Sequence, residues 1–240
     1  MDNLTMSETI ELIDEAIKIN KSIQHVVVNA AKVVEINKNP SLKKIVDECD
    51  IVNIDGQAVV WASRFLGFPV KERVAGIDLM EKLIEMASEK NYGVYFLGAK
   101  QEILEKVVDV YKAKYKNIKI SGLRNGYFKE DEELDIAKEI AKSQTKILLV
   151  AISSPKKEFF LNKYKSVMGV PFVMGVGGSF DVVAGYVKRA PLWMQNFGLE
   201  WLFRFLQEPK RMWKRYIIGN SEFIWIVIKE KVFQKILRKK

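Results

Sequence analysis

The chain has 240 residues, 48% hydrophobic and 29% charged, which suits one α/β domain with a well-buried core and is too short for two. A single cysteine, Cys49, excludes an intrachain disulfide, and a single histidine, His25, argues against histidine-rich zinc sites and Ser-His-Asp catalysis. The formal net charge of +9 sits at one end: residues 1–185 hold 26 Lys+Arg and 26 Asp+Glu, whereas residues 186–240 hold 13 and 4.

From Met1 to Asp14 acidic and apolar residues mix, without the basic-then-apolar order of a signal peptide. Short β-rich runs then alternate with helical patterns. The predicted strands are Gln24–Val28, Ile51–Ile54, Val94–Leu97, Lys119–Ser121, Ile147–Ile152 and Phe172–Val176. Between them the spacing predicts helices over Ala31–Asn37, Gln57–Leu66, Leu79–Glu89, Ile103–Tyr115, Glu132–Lys142 and Lys156–Lys165. In Leu79–Glu89, for example, Leu79, Met80, Leu83, Ile84 and Ala87 share one face and Asp78 stands near the start. This alternation implies an α/β fold with a mostly parallel, Rossmann-like sheet covered by helices on both faces.

The longest apolar runs, Ile147–Ile152 and Phe223–Ile228, are far too short to span a bilayer. A cytoplasmic protein, or one held peripherally on the cytoplasmic face of a membrane, is expected. Charge and composition shift together near residue 186, and four of five tryptophans (Trp193, Trp201, Trp213 and Trp225) follow that point. The expected division is a catalytic α/β domain over 1–190 and a basic, amphipathic helical appendage over 191–240. In the appendage, Leu192–Leu206 is amphipathic and Glu208-Pro209 marks a break. Lys210, Arg211, Lys214 and Arg215 share a helical face, Gly219 suits a helix end, and Ser221 with Glu222 suits the start of a last helix reaching Arg238.

Parallel sheets bind ligands beyond the C-terminal ends of their strands. That rule selects Asn29, Asp55-Gly56-Gln57, Gly98-Ala99-Lys100, Ser153–Glu158 and Gly175–Asp181. Gly175-Val176-Gly177-Gly178-Ser179-Phe180 fails the dinucleotide fingerprint because Phe180 occupies the third glycine position. The turn either offers backbone N–H groups to a phosphate or is a tight packed turn. Asp55 is either a helix cap or a general base, and Arg73 either an anion clamp or a surface arginine. No Asp-x-Asp and no Walker lysine loop occur, so no metal site is expected. Lys and Arg in the tail suit nucleic-acid phosphates, a bilayer surface, or a plain solvated face. Arg204, with Glu200 and Glu208 four residues to either side, has intrahelical partners in the last case. Tryptophan beside arginine favours the membrane over nucleic acid.

Several segments together resemble one family: Val52–Val59 (VNIDGQAV), Arg73–Leu79 (RVAGIDL), Asn125–Phe128 (NGYF), Ser154–Glu158 (SPKKE), Gly175–Asp181 (GVGGSFD), Val187–Trp193 (VKRAPLW) and Gly198–Tyr216. From about residue 4 to about residue 225 the chain is similar to the WecG/TagA/CpsF glycosyltransferases, glycosyltransferase family 26. The resemblance implies an inverting, metal- and cofactor-independent transfer. An N-acetylated hexosamine or its uronic acid would pass from a UDP-sugar to polyprenyl-diphosphate-linked N-acetylglucosamine, in making teichoic acid or related surface polymers. It implies Asp55 as base, Asn29 and Arg73 beside it, and Gln57, Tyr127 and Lys157 lining the cleft. Gly177, Gly178, Ser179 and Asp181 would lie at the nucleotide end, with Arg204, Arg211 and Arg215 on diphosphate. Two positions depart from the family pattern: Val27 replaces a Thr, and Lys157 replaces the Gln of Pro-Lys-Gln-Glu. Lys157 is expected to face a more anionic donor or a phosphate. An apolar cleft edge beside the tail would favour a homo-oligomer. The rival reading is a non-catalytic partner that binds nucleotide-sugar or lipid for another transferase.

Overall fold

In the computed structural model, which describes residues 1–237, a six-stranded sheet runs β2-β1-β6-β5-β3-β4 with every pair parallel. The side chains of Asn196, Arg211 and Arg215 lie outside the described residues, as does Arg238. In chain order the elements begin α1 (Met6–Lys18), β1 (Ile23–Val28), α2 (Ala30–Lys38), α3 (Pro40–Asp47), β2 (Ile51–Ile54), α4 (Gln57–Leu66) and α5 (Gly76–Lys90). They continue β3 (Gly93–Gly98), α6 (Gln101–Lys114), β4 (Lys119–Arg124), α7 (Glu133–Lys142), β5 (Ile147–Ala151), α8 (Lys156–Met168), β6 (Phe172–Gly175) and α9 (Ser179–Val183). The tail adds α10 (Leu192–Asn196), α11 (Glu200–Gln207), α12 (Pro209–Trp213), a turn of π-helix at Lys214–Ile218, and α13 (Gly219–Leu237).

Strand periodicity sorts the core into two layers. Val94, Phe96, Ile147, Leu149, Phe172 and Met174 pack on α1, α5 and α6. Their alternates Tyr95, Leu97, Leu148, Val150 and Val173 pack on α7 and α8. Central strands buried on both faces read as continuous apolar runs, which is why Ile147–Val150 carries no polar residue. The expected α/β architecture is therefore present, and every predicted strand lies on an observed one.

Three helices went unread in the sequence: α1, α3 and the short α9. Thr5 caps α1 in a full capping box with Glu8. Asn39 caps α3, with Pro40 in the first turn. The tail differs from expectation in two places. Leu192–Leu206 is broken at Gly198 (φ +71) into α10 and α11. Gly219 does not end a helix: its φ of −63 and ψ of −39 carry the π-turn straight into α13. The last helix then packs back on α2 and α4, burying Phe223 against Val34, Ile54, Val59 and Val60.

Candidate active site

The C-terminal ends of β1, β2, β5 and β6 open on one cavity of about 1240 Å³, closed on its far side by residues from the tail. Asn29, Asp55, Gln57, Arg73, Tyr127, Lys157, Gly177, Gly178, Ser179, Asp181 and Arg204 all line it. Arg211 and Arg215 lie outside the residues whose side chains are described.

Strand β2 is wholly buried and delivers Asp55 to the cavity floor, where its N–H donates to Val28 O at 2.9 Å. Gly56 then turns the chain at φ +94, and α4 begins with no side-chain cap. Asp55 therefore does not cap α4. Its carboxylate instead stands 3.9 Å from Arg73 Nη1, and the Gly76 backbone favours its charged form. Removal from water pushes the Asp55 carboxyl above its ordinary range; Arg73 opposes this, and Glu200 and Asp78 add to it. The side chain keeps 29% of its surface open, but only to a cavity walled by protein.

Asn29 is the residue that caps: its side-chain oxygen accepts from Lys32 N at 3.0 Å, leaving its amide N–H groups as the atoms to offer a ligand. Gln57 opens α4 beneath Gly198, where a Cβ would come 2.6 Å from Gln57 Cβ. This close approach and the positive φ together require glycine there. Tyr127 is 74% exposed at the rim, in the loop after β4.

The glycine-rich turn after β6 splits into two kinds of residue. Ser179 is spent internally, its hydroxyl donating to Val176 O at 2.7 Å. Gly178 faces the tail: a Cβ there would meet Arg204 Nη2 at 2.8 Å and Asp181 Oδ2 at 3.5 Å. Arg204 Nε is buried with no hydrogen-bond partner among the described residues. The intrahelical pairing expected with Glu200 is not formed, because Glu200 turns to Arg73 and Arg189 instead.

Lys157 does not stand free for an anion. Its Nζ lies 2.6 Å from Glu158 Oε1, and burial lowers its pKa against the pull of that carboxylate. Its methylenes lie across Gly175, where a Cβ would meet Cε at 2.5 Å. Lys32, unanticipated in the sequence, joins the same cluster, with Nζ 2.9 Å from both Glu158 and Glu35 and in contact with Ser154 Oγ. Two lysines are thus matched by two carboxylates on this wall, and Lys157 reaches the cavity already paired. Glu158 fits the balance, since burial alone would raise its pKa yet Lys157 and Lys32 hold it low.

Arg189 also went unassigned in the sequence. It grips Asp78 with Nη1 and Nη2 at 2.5 and 2.8 Å, a bidentate pair joining the start of the tail to α5. Lys32 and Arg189 carry no sequence signal as part of the cavity wall, because the partners that hold them there, Glu158 and Asp78, lie 126 and 111 residues away. Among the described residues, no group of three or more His, Cys, Asp or Glu side chains is placed to hold a metal ion, and no helix is long and apolar enough to cross a membrane.

Residues 1–236 match the model of the glycosyl transferase WecG/TagA/CpsF family. The chain is 35% identical over 195 residues to the N-acetylglucosaminyldiphosphoundecaprenol N-acetyl-beta-D-mannosaminyltransferase of Bacillus spizizenii, covering 81% of this chain and 74% of that protein. It is 36% identical over 181 residues to the Bacillus subtilis protein of the same name, covering 75% and 69%.

Proposed function

This chain belongs to the WecG/TagA/CpsF family and is a glycosyltransferase, and from that premise we propose that it moves an N-acetylmannosamine-type sugar from a UDP-sugar to polyprenyl-diphosphate-linked N-acetylglucosamine. The observation that carries the reading is Asp55, a carboxylate raised in pKa at the floor of the cavity and left uncommitted by the helix it precedes. Asp55 removes the proton from the acceptor hydroxyl as that oxygen attacks the anomeric carbon from the face opposite the nucleotide. The bond from that carbon to the diphosphate breaks, the electron pair leaves with UDP, and the anomeric configuration inverts.

The departing diphosphate needs positive charge, and Arg204 above Gly178 is placed to supply it, with Arg211 and Arg215 as further candidates. Asn29, Gln57, Arg73 and Tyr127 line the space left for the two sugars. The wall on which Glu158 and Glu35 match Lys157 and Lys32 favours an uncharged donor over a uronic one, since a further carboxylate there would be unmatched.

Residues 1–190 then act as the catalytic domain and 191–240 as the appendage that meets the bilayer from the cytoplasmic face. Support comes from Trp193, Trp213 and Trp225, exposed by 58%, 43% and 67%, among Lys210 and Lys214. Release of UDP from UDP-N-acetylmannosamine, measured with purified protein and a synthetic prenyl-diphosphate acceptor, tests the activity. Tight UDP-sugar binding without acceptor-dependent release would place the protein among non-catalytic partners. Flotation with anionic and neutral vesicles tests the surface, and equal recovery with both would remove the electrostatic part.

A further inference from the structure

Three carboxylates and two arginines meet where the tail crosses the cavity. Arg73 Nη1 lies 3.9 Å from Asp55 Oδ1 and 3.7 Å from Glu200 Oε2. Arg189 is pinned on Asp78 and leaves its Nε 3.9 Å from Glu200 Oε1. Glu200 belongs to α11, Arg73 to the loop before α5, Asp78 to α5 and Arg189 to the segment before α10. Among the described residues, these are the charged groups that face Asp55.

Neither distance from Arg73 is a hydrogen bond. A charge-assisted pair closes to about 2.8 Å, so the guanidinium is suspended between two carboxylates and committed to neither. A carboxylate bound tightly by arginine is a poor base, because the pair favours its ionised form. One held at arm's length keeps its basicity. We propose that Glu200 is a positioning residue: by sharing Arg73 it holds the guanidinium off Asp55, so that docking of the tail sets the basicity of the carboxylate in the sheet domain. This inference rests on the reading of Asp55 as the base. The direction of the Asp55 shift agrees, with Glu200 adding to its rise and Arg73 opposing it.

The test is the pH profile of kcat/KM for full-length Glu200→Gln and Glu200→Asp, beside Asp55→Asn and with trypsin cleavage of the tail as the readout of docking. Without the Glu200 charge, Arg73 closes on Asp55, the acid limb moves down by about one pH unit and the plateau falls about three- to tenfold. KM for the donor is expected to stay within about twofold, because Glu200 acts through Arg73 on the base and not on the donor. Glu200→Asp returns the limb part of the way. An acid limb unmoved in Glu200→Gln, whatever its activity, overturns the proposal, as does a limb that moves only when the tail becomes open to trypsin. If Asp55→Asn instead keeps normal turnover, the reading of Asp55 as base fails and this inference with it. An inactive Asp55→Asn with an unmoved Glu200→Gln limb fails this inference alone.

Discussion

Residues 1–185 and residues 186–240 deal with their apolar side chains in opposite ways. In the first region each helix turns one face to the sheet, and Leu79, Met80, Leu83, Ile84, Leu104 and Val107 are fully buried. In the second, Leu192, Phe197, Ile217, Trp225 and Phe233 are each more than half exposed, beside most of the excess positive charge. Apolar side chains exposed in such number within one segment mark a surface suited to interaction. The contrast is the one the proposed function calls for, with water around the first region and an anionic apolar surface against the second. It also shows where they are joined: at Arg204 over Gly178, at Glu200 beside Arg73, and at Phe223 of α13 against Val34, Ile54 and Val59.

The largest expected effect separates the regions by chemistry. Asp55→Asn removes the base but keeps the shape and the Gly76 contact site, so turnover should fall about a thousandfold while UDP affinity stays within about twofold. Single-turnover kinetics and UDP titration together check this. A parallel loss of UDP binding would mean that the sheet domain's carboxylate also serves the nucleotide.

The next prediction breaks the contrast. Phe223 is 5% exposed and shares its cluster with β2 and α4, so Phe223→Ala should destabilise the sheet domain by about 3 kcal/mol. Urea unfolding followed through the single Trp61 of the body, with the tail tryptophans replaced by Phe, reads it. An unchanged midpoint would make the tail a true appendage energetically as well as by charge.

A third expectation belongs to the body alone. His25 is buried on β1 with Nε2 2.9 Å from Asn53 Oδ1, and burial lowers its pKa from 6.5 to about 4. The unfolded chain binds this proton first as pH falls, so the stability is complete above pH 6.5 and drains away between 6.5 and 4. The loss is up to about 3 kcal/mol. His25→Gln should flatten the slope of urea stability against pH over that window, and an unchanged slope would assign it to other groups.

Strands and strand-end residues were legible because their signal is local. β-branched runs mark the sheet, and the rule for parallel sheets then points to Asn29, Asp55 and the glycine-rich turn without any partner being known. Helix α1 was legible in principle through Thr5 and Glu8, but its apolar positions were read only against a leader sequence. The charge pairings were not legible. Lys157 alone suggests an anion subsite; Glu158 beside it in sequence takes up its charge, and only the fold adds Lys32, a second cation, to that carboxylate. Glu200 likewise suggests Arg204 on its own helix, whereas crossing of the tail over the sheet gives it Arg73 and Arg189. Local periodicity specifies elements, while ion pairs over long separations depend on how those elements are stacked.

The contact of Arg204 with Gly178 gives the sharpest small test of how the regions cooperate. On the proposed role of Arg204 at the departing diphosphate, Arg204→Ala should lower kcat about a hundredfold. Gly178→Ala approaches the same contact from the body. Its φ of −83 and ψ of 18 accept alanine, so the backbone is not strained. The new Cβ would sit 2.8 Å from Arg204 Nη2, the far end of a flexible side chain that can swing aside. Urea stability should therefore hold within about 0.5 kcal/mol, while kcat falls by a fraction of the Arg204→Ala loss, about three- to tenfold. In the Arg204→Ala background the methyl keeps only an ordinary contact with Asp181 Oδ2 at 3.5 Å, so adding Gly178→Ala should cost almost nothing more. Full additivity in that double-mutant cycle would mean that the turn and the tail act on the substrate separately, and that the contact between them is only where they touch.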